Sequence, residues 1–149
     1  TSDSDVANLT IVPMVSDGLG VEIVKGKEDN PVQGWANDPW RPVPTAIYTP
    51  KGSGTTWLAY ALYPTRPAET SLISSVTSLG PTDDTIGLTV AFENGESDTV
   101  LISQNPGQEV AIGDFSTDAE AAVIRMTSEG QKLLLVSGTV VKRNGDSIS

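Results

Sequence analysis

Short runs in which apolar and polar side chains alternate recur along this chain, and turn-forming residues separate them every roughly 8–12 positions. The clearest run places its apolar side chains on one face of a strand, at Ile86, Leu88, Val90 and Phe92. Such alternation is typical of a strand with one face buried and the other in water. Helices are disfavoured, because the 10 prolines are scattered and threonine, valine and isoleucine dominate the apolar runs. The predicted fold class is therefore all-β, an antiparallel two-sheet β-sandwich.

The pattern predicts strands near residues 7–15, 20–25, 43–49, 55–63, 70–77, 85–93, 98–103, 108–113, 119–127, 131–137 and 138–143. Glycine and asparagine predict hairpin turns at residues 92–96, 128–131 and 144–145. One segment leaves an alternative open, because Thr117 can cap a short helix over the alanines that follow it. The β-branched residues Val123 and Ile124 favour a strand there instead.

The length of 149 residues suits one ordinary domain and is small for two. We expect a single β-sandwich domain over residues 6–143, with a linker or frayed end at residues 1–5 and a tail at residues 144–149. The sequence begins with Thr1 rather than methionine, so we expect a mature or excised piece of a longer chain. No stretch approaches the roughly 20 apolar residues of a membrane-spanning helix.

The net charge of -10 is unevenly distributed. Residues 18–66 carry five basic and four acidic side chains together with all three tryptophans and all three tyrosines, whereas residues 67–149 carry twelve acidic and four basic ones. The overall charge disfavours attraction to nucleic acid or to an anionic membrane. The near-neutral, aromatic segment still permits recognition of an anionic ligand at short range.

The chain contains no histidine and no cysteine. This excludes a thiolate nucleophile, a disulfide, an imidazole general base, haem, iron–sulfur clusters and zinc sites built from soft ligands. Most of the common active sites are therefore excluded by composition.

The most unusual segment, residues 34–44, combines two tryptophans, three prolines and one arginine. This composition disfavours regular ladder bonding and predicts a stiff surface loop. Exposed rings at Trp35 and Trp40 suit sugars, whose C–H faces stack on an aromatic ring, while Arg41 can bind hydroxyls or pair with a uronate carboxylate or a sulfate. In the alternative, both rings fold inward, plug one end of the sandwich and donate their indole N–H groups to the backbone.

A second aromatic segment covers residues 55–64. Alternation puts Trp57 on one face together with small residues and Tyr63, and Tyr60 on the other. The first face predicts a shallow trough for a sugar chain, whereas a central strand covered on both sides is the alternative. Lys25 and Lys27 complete the candidate carbohydrate-binding set of Trp35, Trp40, Arg41, Trp57 and Tyr60.

Carboxylates are numerous, so hydrolysis by paired acids has to be weighed. The candidates are Asp83, Asp84, Asp114, Asp118 and Glu120, and no spacing among them fixes a catalytic separation. We therefore expect no catalytic residues and no cofactor. A structural calcium ion on turn carboxylates stays an alternative, although no Asp-x-Asp-x-Asp-Gly loop is present.

The order of several motifs resembles the C-terminal β-region of heparinase II/III-like polysaccharide lyases. The matching motifs are Gly34-Trp35, Pro42 to Tyr48, Thr55 to Pro64, Asp98 to Ile102, Asp118 to Arg125 and Ser137 to Thr139. In that family a toroid of helices and an adjoining sheet carry a β-elimination from uronic acids through tyrosine and histidine. This chain has neither the toroid nor a histidine, so no catalytic residue is carried over. The resemblance implies an accessory β-domain of a secreted or periplasmic bacterial enzyme.

Together these features predict a non-catalytic carbohydrate-binding module of a polysaccharide lyase. Its ligand would be a polysaccharide or oligosaccharide, with uronate-containing glycans such as alginate or a glycosaminoglycan included, and its partner the parent catalytic domain. The alternative is a structural accessory β-domain that packs on the parent enzyme and does not bind glycans by itself. A small hydrolase that uses only acids is a third, weaker hypothesis.

Overall fold

The computed structural model describes residues 4–14, 18–53 and 56–148. Within these ranges the secondary structure consists of strands, turns and loops, with no helix. The strands are β1 (Asn8–Pro13), β2 (Gly20–Val24), β3 (Trp35–Asn37), β4 (Trp40–Pro42), β5 (Thr45–Thr49), β6 (Tyr60–Thr65), β7 (Ile73–Ser78), β8 (Thr85–Phe92), β9 (Ser97–Ser103), β10 (Val110–Ile112), β11 (Phe115–Thr117), β12 (Ala121–Thr127), β13 (Gly130–Val136), β14 (Val141–Arg143) and β15 (Asp146–Ser147). In the part of the chain described, there is no helix that could cross a membrane.

The described residues group into two compact units. The larger unit comprises the described parts of Thr1–Val15 and Trp57–Ser149, and the smaller unit those of Ser16–Thr56. In sequence, the smaller unit is thus an insertion between β1 and β6 of the larger one. The expectation of a single domain over residues 6–143 stays a prediction.

The larger unit is built on a five-stranded antiparallel sheet in the order β13-β12-β9-β8-β7. One face packs against a four-stranded sheet in the order β10-β11-β14-β15, through buried side chains of both sheets. These are Leu101, Ile112, Phe115, Ala122, Ile124 and Val141, and Ala119 joins them from the connection between β11 and β12. Gly87 of β8 lies at the contact, where a Cβ atom would stand 2.4 Å from Cγ2 of Ile112. Two sheets packed face to face confirm the predicted all-β, antiparallel sandwich.

The other face of the five-stranded sheet is covered in part by the two-stranded sheet of β1 and β6. The core on this side contains Met14, Val76, Ile86 and Val90, with Val12, Trp57, Ala59, Ala61, Ile73, Leu88 and Phe92 packed around it. Ile102 and Leu134 lie on the same face in β9 and β13, and they are 39% and 60% exposed. The two-stranded sheet of β1 and β6 therefore covers this face at β7 and β8 and leaves Ile102 of β9 and Leu134 of β13 exposed.

Each predicted strand segment overlaps an observed strand, although several boundaries move. The segment predicted at 55–63 corresponds to β6, which begins only at Tyr60, and residue 55 lies outside the described residues. The alternative helix does not form at these described residues, because residues 118–120 make a bend and the alanines Ala121 and Ala122 begin β12. The Thr117 hydroxyl accepts from Ala119 N at 3.0 Å within this bend and donates to the Val140 carbonyl at 2.8 Å. The predicted hairpin turns are observed, and the segment predicted as a tail adds β15, which pairs with β14.

The smaller unit contains two antiparallel pairs, β2 with β5 and β3 with β4. The prediction that residues 34–44 form a surface loop without regular ladder bonding is wrong about the bonding, because β3 and β4 form a hairpin, whereas residues 37–42 are exposed as expected. Pro39 occupies the turn between them. Val43 N donates to the Gly34 carbonyl at 2.8 Å, so Val43 directs its backbone N toward β3. The backbone N of the preceding residue, Pro42, is therefore directed away from β3, to the outer edge of β4, where the hairpin needs no N–H donor. The prolines are thus placed where the ladder needs no donor.

Candidate functional site

The β3–β4 hairpin brings two tryptophan rings together. Its register pairs Trp35 with Pro42 and Asn37 with Trp40, so both tryptophans lie diagonally on the same face. Their ring centroids are 4.9 Å apart, and the ring planes differ by 7°. Two tryptophans five residues apart can stack in this way because a tight turn at residues 38–39 lies between them. We call the two rings and the hairpin that carries them the tryptophan hairpin.

Trp35 is the inner ring of the stack. It is half-buried, and its Nε1–H donates to the Lys27 carbonyl at 3.1 Å. Lys27 is itself held by two backbone hydrogen bonds with Gln33, at 2.9 and 3.1 Å. The backbone hydrogen bond expected for an inward-facing indole is therefore present at Trp35. This anchoring fixes the ring on which Trp40 rests.

Trp40 is the outer ring and is 61% exposed. The described residues include no hydrogen-bond partner for its indole N–H. One face of its ring lies against Trp35. The other face and the N–H group are available to a ligand, which is the arrangement that a flat apolar surface with one polar handle requires.

Gly34 holds the base of the hairpin in place. Its carbonyl accepts from Gly26 N at 2.9 Å and from Val43 N at 2.8 Å. Its φ is +76°, and a Cβ atom there would stand 2.8 Å from Cα of Lys25. Both the conformation and the close approach require glycine. Sequence reasoning noted Gly34 only as part of a motif and missed this role.

The basic residues predicted for the site do not converge on the stack. Arg41 pairs with Ala36 and therefore points to the opposite face of the hairpin from both tryptophans. Lys25 is exposed, and Lys27 is half-buried and contributes its backbone carbonyl to Trp35. Among the described residues these three cations form no salt bridge. Their charges are therefore available to a ligand. The hairpin register nevertheless places Arg41 on the opposite face from Trp40, the ring beside which it was expected to bind a sugar.

Trp57 and Tyr60 belong to the larger unit. Trp57 packs against the core between β1–β6 and β7–β8, and its Nε1–H donates to the Thr82 carbonyl at 2.7 Å. The face predicted as a trough is therefore turned toward the core, and β6 pairs only with β1 among the described strands rather than lying centrally. Tyr60 points the other way and is 36% exposed.

Two of the acidic residues considered for catalysis, Asp84 and Asp118, have structural partners. Asp118 accepts from Thr139 N, Val140 N and the Thr139 hydroxyl, each at 2.8 Å. These hydrogen bonds favour the charged carboxylate, so the pKa of Asp118 lies below its ordinary value, and the backbone N–H groups of Thr139 and Val140 are the main cause. Asp84 accepts from the Asn105 amide at 3.2 Å.

Glu109, which sequence reasoning did not single out, is held by the side chain of Lys142 at 2.7 Å and by the Ser116 hydroxyl at 2.6 Å. The hydrogen bond from Lys142 is the main reason that the pKa of Glu109 is lowered. Among the described residues, no three acids, histidines or cysteines are placed to hold a metal ion together. The carboxylates of Asp84, Glu109 and Asp118 thus stabilise loops and strand pairs.

No protein-family model matches this chain, and no curated protein sequence matches it.

Proposed function

We propose that this chain is a non-catalytic carbohydrate-binding module and that the Trp40 ring is its main contact with a polysaccharide. The observation that carries the proposal is the 61% exposure of Trp40 on a ring that Trp35 holds from beneath. A pyranose presents a flat array of C–H groups that packs on such a ring, and its hydroxyls need polar groups nearby. Exposed indole rings that are held rigidly also lose little conformational entropy on binding.

The polar groups for sugar hydroxyls come from the same hairpin. Asn37 pairs with Trp40 across the hairpin and shares its face, and Asp38 precedes the turn proline. Both are exposed and offer acceptors, and the Asn37 amide also offers donors. These groups suit a neutral sugar directly. A uronate or sulfate ligand would instead need Lys25 or Arg41, and Arg41 is on the other face.

The resemblance of the chain to the C-terminal β-region of heparinase II/III-like lyases supports this proposal. Under it, the module serves a secreted or periplasmic polysaccharide lyase and increases the local concentration of the enzyme on its substrate. The parent catalytic domain is then the protein partner. The bases and acids of the elimination reaction belong to that partner.

The second candidate is a structural accessory domain that binds no glycan. The hydrogen bond of Trp57 to Thr82 and its packing against the core favour it, because one of the predicted binding rings contributes to the fold instead. The two candidates differ at Trp40. An accessory domain has no use for that ring unless the parent enzyme covers it.

A glycan array with neutral, uronate-containing and sulfated oligosaccharides tests the proposal. We expect the wild-type chain to bind at least one class and the Trp40→Ala variant to lose that signal. The Arg41→Ala variant is the matched comparison from the same strand, and for a neutral ligand we expect it to bind as the wild type does. Binding of no glycan by the wild-type chain would overturn the proposal and favour the structural accessory domain.

A further inference from the structure

The larger unit contains an open cleft that the glycan proposal does not use. Its volume is about 410 Å³, and it lies between β6, the start of β7, the β8–β9 hairpin and β12. Its lining combines aliphatic side chains and the rings of Tyr63 and Phe92 with one polar end. We call it the β6 cleft.

The rim of the β6 cleft is aliphatic and exposed. Leu62 is 61% exposed and Leu72 is 39% exposed, and both line the cleft. Leu62 also pairs with Ile11 of β1, which is 44% exposed on the outer face of the same two-stranded sheet. The apolar surface therefore continues from the cleft onto β1. Contiguous exposed apolar side chains of this kind mark interaction surfaces on soluble proteins.

The polar end is acidic. Asp98 and Arg125 form a bidentate pair there, and the two hydrogen bonds from the guanidinium group neutralise that aspartate. Glu96 lines the same end, and its carboxylate makes no hydrogen bond with a described residue. The side-chain amide of Asn94 also lines the cleft, with its oxygen bonded to Glu96 N at 3.1 Å. Glu96 also interacts electrostatically with Arg125, so two carboxylates share one guanidinium group and this end of the cleft carries one net negative charge.

We propose that the β6 cleft binds a segment of a partner protein that places aliphatic side chains against Leu62 and Leu72 and a lysine or arginine beside Glu96. The charge of Glu96 selects a cation over an anion at this end. The rim favours a peptide over a sugar, because its exposed side chains, Leu62 and Leu72, are branched and aliphatic, whereas the rings of Tyr63 and Phe92 are half-buried. The Asn94 amide nitrogen and the Tyr63 hydroxyl can bond to the backbone of the segment. This site is independent of Trp40 and goes beyond the proposed glycan binding.

The test uses two synthetic peptides added to the isotope-labelled chain and followed by NMR. One alternates valine and leucine with lysine, and the other has glutamate in place of every lysine. We expect the lysine peptide to shift the amide signals of residues 61–63, 72–73 and 92–98, and to bind more tightly than the glutamate peptide. Because a partly exposed ion pair contributes little, we expect Glu96→Gln to weaken the lysine peptide by about two- to fivefold.

Two variants separate the parts of the proposal. Glu93→Gln removes an exposed carboxylate of the same hairpin that does not line the cleft, so it should leave the affinity unchanged. Leu62→Ser removes a largely exposed side chain and should weaken both peptides without unfolding the chain. Equal affinity for the two peptides, or an equal effect of the Glu93 and Glu96 variants, would overturn the proposal. Shifts at these signals with a neutral oligosaccharide but with neither peptide would also overturn it, and would make the cleft a glycan site.

Discussion

The indole ring of Trp35 lies beneath that of Trp40, nearly parallel to it, with the ring centroids 4.9 Å apart. The indole N–H of Trp35 donates to the backbone carbonyl of Lys27, whereas most of the Trp40 side chain is exposed to water. One ring is therefore a support and the other a contact surface. This division of roles explains how a short hairpin can hold an exposed indole in a fixed orientation.

The three tryptophans should differ in their accessibility to a neutral quencher such as acrylamide. Replacing Trp40 with phenylalanine removes the most exposed indole, so the fluorescence that remains should be quenched less efficiently than in the wild type. Replacing Trp57 removes an indole that packs on the core and should raise the average efficiency. Stern–Volmer plots of the two variants test this order, and the reverse order would contradict the assignment of Trp40 as the exposed ring.

Gly34→Ala should destabilise the tryptophan hairpin. The added Cβ atom would meet Cα of Lys25 at 2.8 Å, and alanine disfavours the φ of +76°. We expect the free energy of unfolding, followed by tryptophan fluorescence in denaturant, to fall by more than about 1 kcal/mol.

Gly52→Ala is the matched control for this variant, because a Cβ atom at Gly52 meets nothing within 4 Å. Its effect should stay within about 0.5 kcal/mol. If both variants unfold at the same denaturant concentration as the wild type, the role assigned to Gly34 is wrong.

The carboxylate of Asp118 should make the stability of the larger unit depend on pH. Its pKa is lowered in the folded chain by the N–H groups of Thr139 and Val140, so its contribution is complete above the ordinary aspartate range and disappears as pH falls through the lowered value. Asp118→Asn should reduce the melting temperature at neutral pH. On acidification to about pH 3, the melting temperature of this variant should then fall by less than that of the wild type.

Asp83→Asn provides the comparison for Asp118, since Asp83 is an exposed turn aspartate with no hydrogen bond to a described residue. Its melting temperature should follow the wild type at every pH. A Asp118→Asn variant whose pH profile also follows the wild type would show that the three hydrogen bonds to Asp118 contribute nothing measurable.

The fold class and most strands could be predicted because the relevant signals are local. Alternation over β8 and the turn residues Asn94 and Gly95 specify a half-buried strand and a hairpin without any distant contact. β11 could not be found in this way, because three residues are too few to show a period and Phe115 is buried by partners from other strands. Proline content alone does not predict the β3–β4 hairpin, because the sequence does not show which N–H groups face the ladder.

The candidate site was predictable in its residues but not in its geometry. Trp35 and Trp40 stand out by composition, yet their stacking depends on the turn at residues 38–39. Arg41 is adjacent to Trp40 in sequence, and the alternation of a strand is what turns it to the other face. The inward position of Trp57 follows from a tertiary contact with Thr82, which lies 25 residues away in the sequence.

The most direct test of the central claim is affinity gel electrophoresis of the Trp40→Ala variant in the polysaccharide that the wild type binds best on the array. The account predicts that its retardation disappears while its melting temperature stays close to that of the wild type, because the removed ring is 61% exposed. Retardation of the Trp40→Ala variant equal to that of the wild type would contradict the account.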